Sequence, residues 1–249
     1  MNGFCVLMYH ELIRKEDFAI EEYTGIKVKQ NYHDVLPKPL FALLEEFEKQ
    51  MAYLHENRYN IIKLQDVIDF YYSGKNLPEK AILLTFDDMY KSVLLYAYPV
   101  LKRYGFSAVG FVVLDWLFNE ARQYSSHQSV CLSKGELEGM GDVFEYACHS
   151  TALHTRKEGL TALQTVDRTA FCADTEACRQ FADSKDAYAY PFGIYTDEVV
   201  LWLKELDFRL AFTAEGGKNT IGTDPYKLYR NGVFLDITMD GFRNILSTT

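Results

Sequence analysis

The 249-residue chain lacks any apolar run long enough to cross a membrane, so no transmembrane segment is expected. It also lacks a basic surplus. The 26 Lys and Arg side chains are outnumbered by 35 Asp and Glu, and the net charge of −9 argues against a protein that tracks nucleic-acid phosphates or docks on anionic lipid. The first ten residues have neither the basic opening nor the long apolar core of a secretory leader. The expected location is therefore the cytoplasm, or the exterior or cell envelope if a leader has been removed. Five cysteines (Cys5, Cys131, Cys148, Cys172, Cys178) are an odd number with no C-x-x-C pair, which supports neither a zinc ribbon nor a dithiol redox motif. Cys5 and Cys148 lie in apolar runs and read as small buried hydrophobes. No internal repeat, low-complexity tract or linker interrupts the chain, and one domain over residues 1–249 is expected.

What is present is a regular alternation of short apolar runs and helical periods. Strands are expected at Phe4–Tyr9, Ile61–Ile62, Ala81–Asp87, Ser107–Val113, Val143–Cys148, Ala187–Tyr190, Leu210–Thr213 and Leu228–Val233. Between them, apolar residues recur at helical spacing over Leu40–Leu54, Leu64–Tyr72, Lys91–Tyr104, Leu163–Phe181 and Thr196–Leu206, with a short helix from Thr238. Gly105 is suited to a left-handed helix cap, Ser133-x-x-Glu136 is a capping box, and Arg14–Lys38 reads as a long polar loop. Strand–helix alternation over nearly the whole length predicts an α/β fold with a mostly parallel sheet. With about seven such units, the expected architecture is a distorted (β/α) barrel.

The polar residues fall at the ends of these strands. The run from Ala81 stops in the adjacent carboxylates Asp87 and Asp88; other runs stop at His10, at His149, and at the turn around Pro191. In a parallel barrel the carboxyl ends of the strands share one face, where the chemistry is placed. Two neighbouring acids repel unless a cation or a proton intervenes. His149 and His154, five residues apart, would splay on a regular helix but can both turn inward from a loop. Two histidines and one carboxylate would leave positions open on a divalent cation, as catalytic and not structural sites do.

Three ordered motifs, Thr85-Phe-Asp-Asp88, His149-Ser-x-x-x-His154 and Tyr190-Pro-Phe-Gly193, resemble those of the polysaccharide deacetylases, carbohydrate esterase family four with the NodB-homology fold. Leu7-Met-Tyr-His10 and the five-residue histidine spacing, where four is usual, resemble the poly-N-acetylglucosamine deacetylase branch. The resemblance covers almost the whole chain. It implies a metal-dependent hydrolase that removes N-acetyl groups from amino sugars of a polysaccharide or oligosaccharide. Asp87 would be the general base, and Asp88, His149 and His154 would hold one divalent ion. Zinc is the first choice; cobalt, nickel, iron or manganese suit the same ligands. The main-chain amide of Phe192 would stabilise the oxyanion. No histidine follows His154, so the family's late general-acid motif is absent, and His10 is the candidate acid in its place. Tyr9 and Tyr190, with Phe192 and Tyr195, are candidates for stacking on sugar rings. Arg230 is a candidate for substrate contact or for orienting Asp87, because Ala189 stands where many members carry the orienting arginine. Met89 replaces a usual glycine and is expected to narrow the mouth or shift the turn. The late Asp and Trp motif is not recognisable, and Trp116 and Trp202 read as packing residues. An O-acetyl esterase or other amidase on the same metal site, or a non-catalytic carbohydrate-binding relative, remains the alternative.

Overall fold

The computed structural model of the chain describes residues 3–35 and 40–247. Residues 36–38, the end of the polar loop expected from Arg14, lie outside them. The strand expected at Ile61–Ile62 is Asn60–Ile61, which pairs parallel with Ala81 and Ile82. The main path of the sheet is six parallel strands in chain order: β1 (Gly3–Tyr9), β2 (Ala81–Asp87), β3 (Ala108–Val112), β4 (Phe144–Cys148), β5 (Ala187–Ala189) and β6 (Leu210–Phe212). Each pairs with its predecessor, for example Leu7 with Leu84, Thr85 with Val109 and Tyr188 with Cys148. Lys218–Thr220 (β7) runs antiparallel along the start of β1. The circuit closes through the segment 228–233. Leu228 bridges Phe212, Asn231–Gly232 (β8) pairs with Leu7 and Met8, and the Val233 amide donates to the Met8 carbonyl at 2.9 Å. Six strands and this closing segment make the seven-position distorted barrel that the alternation of elements predicts.

The strand phase explains the core. β2 is buried at all seven positions, as a strand covered on both faces must be. One cluster takes Phe4 and Val6, Ala81 and Leu83, Val109 and Phe111, Ala147, Ala187 and Ala189, and Leu210 and Phe212; α2 (Leu64–Tyr72) packs against it. The alternate residues Leu7, Tyr9, Leu84 and Phe86 pack outward against α1 (Leu44–Glu56), α3 (Tyr98–Tyr104) and α7 (Met239–Ser247). Cys148, Tyr188, Tyr190 and Ala211 pack against α5 (Arg168–Phe181) and α6 (Asp197–Glu205). Among the described residues no helix is long and apolar enough to cross a membrane.

Three helical expectations are corrected. Phe41–Leu43 is a strand paired with Glu11–Ile13, so α1 starts at Leu44; the backbone beyond β1 recruits this segment before the helix can form. The period over Lys91–Tyr104 is split into a π-helical stretch, Val93–Ala97, and α3. Pro99, which has no amide hydrogen, stands just beyond that stretch, and the wider turn accommodates it. α5 begins only at Arg168, capped by the Asp167 carboxylate on the Ala170 amide at 2.9 Å, after a separate turn at Ala162–Gln164. Gly105 takes the left-handed cap expected of it, with φ of 66°.

Gly110 on β3 faces outward beneath Met89 and Tyr146. A Cβ there would lie 2.7 Å from Met89 Sδ and 2.9 Å from the Tyr146 ring. Gly110→Ala should lower the unfolding free energy by about 1–3 kcal/mol, the usual result of overpacking. A denaturant midpoint shift read with unchanged slope checks this, and adding Met89→Ala should recover part of the loss.

Candidate active site

The same strand phase delivers the polar residues. His10 follows Phe4, Val6 and Met8 on the inner face of β1. Asp87 follows Ala81, Leu83 and Thr85, and His149 follows Ala147. Together with Asp88, His154 and Arg230 they line a cavity of about 510 Å³ at the carboxyl ends of the strands. Three strand-to-loop turns at this rim contain non-glycine residues with positive φ: Asp88 (65°) and Met89 (53°), Ser150 (76°), and Phe192 (59°). Such left-handed residues outside glycine concentrate where a turn must aim a side chain or an amide.

The two acids have opposite surroundings. Asp87 Oδ1 accepts a hydrogen bond from Arg230 at 2.6 Å, and its Oδ2 lies 3.8 Å from Nε2 of both His10 and His149. Burial alone would raise this carboxyl, but Arg230, His149 and His10 outweigh it and hold Asp87 below the usual carboxylate range. Among the described residues Asp88 has no such cationic hydrogen-bond partner. Burial, and then the charge of Asp87, push it well above the usual range, and its Oδ1 is buried without a hydrogen bond.

Around that orphaned oxygen, Nε2 of His149 lies at 3.7 Å and Nε2 of His154 at 3.5 Å. These separations are too long for hydrogen bonds. They match the edges, about 3.3 Å, of a tetrahedron with bonds of about 2.0 Å to a divalent ion. His149 Nδ1 pairs with the Ala189 carbonyl at 2.7 Å, which assigns its proton to Nδ1 and leaves the Nε2 lone pair facing Asp88. Burial lowers both imidazoles below their ordinary value, so both are neutral donors at neutral pH. Asp88, His149 and His154 therefore fit a metal ion by donor type, by spacing and by the polar atom left unsatisfied without one.

The remaining expectations divide. Arg230 is nearly fully buried, with Nε donating to the Thr213 carbonyl at 2.7 Å and Nη1 to Asp87. The bond to Asp87 is the orienting contact expected of it, and the side chain also lines the cavity. Tyr9 and Tyr190 are corrected. Both are fully buried and out of phase with the inner face. Tyr9 donates to Gln50 Oε1 at 2.9 Å between Phe47 and Phe86, and Tyr190 donates to the Tyr226 carbonyl at 2.9 Å. Met89 does not narrow the mouth; its side chain turns into the core over Gly110. Trp202 packs on Phe171 as expected, and Trp116 is part of the cavity wall. Its ring meets His154 edge-on at 4.5 Å, opposite Phe192 at 4.3 Å, and its Nε1 donates to Gln30. Trp116 is packed in the core as expected, but it lies four residues beyond the end of β3, where the strand-end rule that points to His10 and His149 does not reach. Phe234, which faces His10 across the cavity, follows the closing segment and carries no comparable signal.

Comparison with known proteins agrees with this geometry. The family model described as polysaccharide deacetylase matches residues 74–211, which spans β2 to β6. The poly-beta-1,6-N-acetyl-D-glucosamine N-deacetylase of Staphylococcus epidermidis is 25% identical over 98% of this chain and 82% of its own length. Among solved structures, the Streptococcus pyogenes deacetylase PplD in complex with acetate superposes with a TM-score of 0.78 at 17% identity, covering 98% of both chains. IcaB from Ammonifex degensii does so with a TM-score of 0.74 at 21% identity, covering 99% of this chain and 97% of that one. With a family match over more than half of its length and the barrel of these structures, the chain belongs to the polysaccharide deacetylases, hydrolases of the NodB type.

Proposed function

We propose that the protein removes N-acetyl groups from a polymer of N-acetylglucosamine, of the β-1,6-linked kind named for its staphylococcal relative. The observation that carries this reading is the division of labour between the adjacent carboxylates. Asp87 is ionised and held by Arg230, while Asp88 is joined to two neutral histidines in a donor set for one divalent ion. When bound by Asp88, His149 and His154, that ion would polarise the acetamide carbonyl and ease the deprotonation of water. The particular metal follows from the ligands only as far as zinc or a neighbouring transition ion.

The chain's own residues account for the proton movements. Asp87 Oδ2 faces the cavity between two imidazoles and accepts the proton of the attacking water. Arg230, fixed in turn by the Thr213 carbonyl, keeps that carboxylate aligned and ionised. The Phe192 amide, carried on the left-handed turn after β5, supplies a donor for the developing oxyanion. Pro191 beside it has no amide hydrogen to offer. His10 serves the departing amine. Burial lowers its imidazole to about 4, so it is neutral in the free site at neutral pH and gains its proton within the complex. Asp87, at 3.8 Å, supports that cation and can relay the proton taken from water. The apolar wall formed by Trp116, Phe192 and Phe234 limits water around these steps.

Three experiments test this reading. Asp87→Asn should keep metal content by elemental analysis while lowering kcat by about 10²–10⁴, the range of a general base, in an acetate-release assay. Full activity in this variant would remove Asp87 from the mechanism. His10→Gln should likewise lose turnover with metal retained; unchanged kinetics would leave the acid unassigned. Arg230→Met removes the cation that depresses Asp87, so the base becomes easier to protonate. The acidic limb of the kcat/KM profile should move to higher pH, and an unmoved limb would show that Arg230 does not tune the base.

A further inference from the structure

We propose that Asp174, on the inward side of α5 and outside the cavity, is the positioning residue that sets the span between His149 and His154. The proposal rests on the reading of those histidines as metal ligands. Four residues separate the two histidines, and this loop has to be held for both imidazoles to face one centre. Asp174 does this from one side. Its Oδ1 accepts the Thr151 amide at 2.9 Å, its Oδ2 accepts the Ala152 amide at 2.6 Å, and its carbonyl accepts the Thr151 hydroxyl at 2.7 Å. From the other side the loop's carbonyls are taken up in turn. The Leu114 amide donates to the Ser150 carbonyl at 3.1 Å, the Asp115 amide to the Thr151 carbonyl at 2.9 Å, and Gln30 Nε2 to the Ala152 carbonyl at 3.1 Å.

Ser150, which opens the loop, holds a positive φ of 76°, a conformation a serine keeps only when its neighbours determine it. The Leu114, Asp115 and Gln30 bonds each hold one carbonyl, from three separate donors. The Asp174 carboxylate instead draws two successive amides to one point, which fixes the direction in which the chain leaves toward His154. Charge-assisted bonds of this kind are also the stronger ones. Without them His149 stays in place, since its amide is bound by Val112 and its ring by Ala189. His154 alone would drift from the common centre. Asp174 touches neither the cavity nor any ligand atom, so its effect runs entirely through the loop.

The test compares zinc dissociation constants, measured by competition with a chromophoric chelator, for the wild-type protein and four variants. Asp174→Asn and Asp174→Ala should bind zinc about 10–100-fold more weakly, the usual loss for a group that orients a ligand. Asp183→Asn is the control for general loosening. Its carboxylate accepts the Tyr146 amide at 3.0 Å near the other end of the contact between β4 and α5. It should lower thermal stability and leave zinc affinity unchanged. Asp88→Asn tests the ligand reading itself and should lose zinc binding. Wild-type affinity in both Asp174 variants, or an equal loss in Asp183→Asn, would overturn the proposal. If Asp88→Asn also binds zinc normally, the ligand reading falls with it. If Asp174→Ala does not fold, Asp174→Asn, which keeps the shape of the side chain, decides the matter.

Discussion

Two carboxylates in succession at the end of a buried strand are the constraint on which the site depends. Like charges about 4 Å apart repel by about 4 kcal/mol at an effective dielectric of about 20, and burial adds to that. The chain answers with different partners for each. Asp87 faces a buried guanidinium that arrives 143 residues later in sequence, on the segment that closes the barrel. Asp88 faces Nε2 of two imidazoles and, among the described residues, is bonded to no cationic side chain. The first acid is thereby kept ionised, and the second is left as one of three groups that could hold a metal ion. Exchanging their surroundings would exchange their chemistry.

Barrel closure and the pairing of Asp87 are therefore one structural event. The segment 228–233 pairs with β6 through Leu228 and with β1 through Asn231 and Gly232. Arg230 lies between those two pairings, in phase with Leu228, and so points to the interior. Ala189 on β5 contributes through its backbone, since its carbonyl fixes the His149 tautomer.

A period of two along each strand decides which aromatic residues can meet a substrate. Tyr9 is adjacent to His10, and Tyr190 to Pro191, and that adjacency is what places them on the wrong side. Neighbours in a strand point to opposite faces. The aromatic wall comes instead from loops, Trp116 after β3 and Phe192 after β5, where strand alternation no longer applies. Trp116 and Phe192 both contact the His154 ring, so the apolar lining also packs against an imidazole of the site.

The sequence by itself determined the architecture and the identity of the chemical groups. Strand–helix alternation implied a parallel barrel, and strand ends at His10, Asp87, Asp88 and His149 implied a shared rim, because both are local patterns with a fixed period. It also named Arg230 as a partner for Asp87 but could not choose between that role and substrate contact. Only the tertiary structure showed the contact with Asp87, since it depends on a pairing between the two ends of the chain. Tertiary pairing likewise drew Phe41–Leu43 out of its helical period, and turned Met89 into the core. It also set the distances among Asp88, His149 and His154, which no spacing in the sequence encodes. Those distances arise where two separate strand ends and a clasped loop come together, and convergence in space leaves no trace in a linear order.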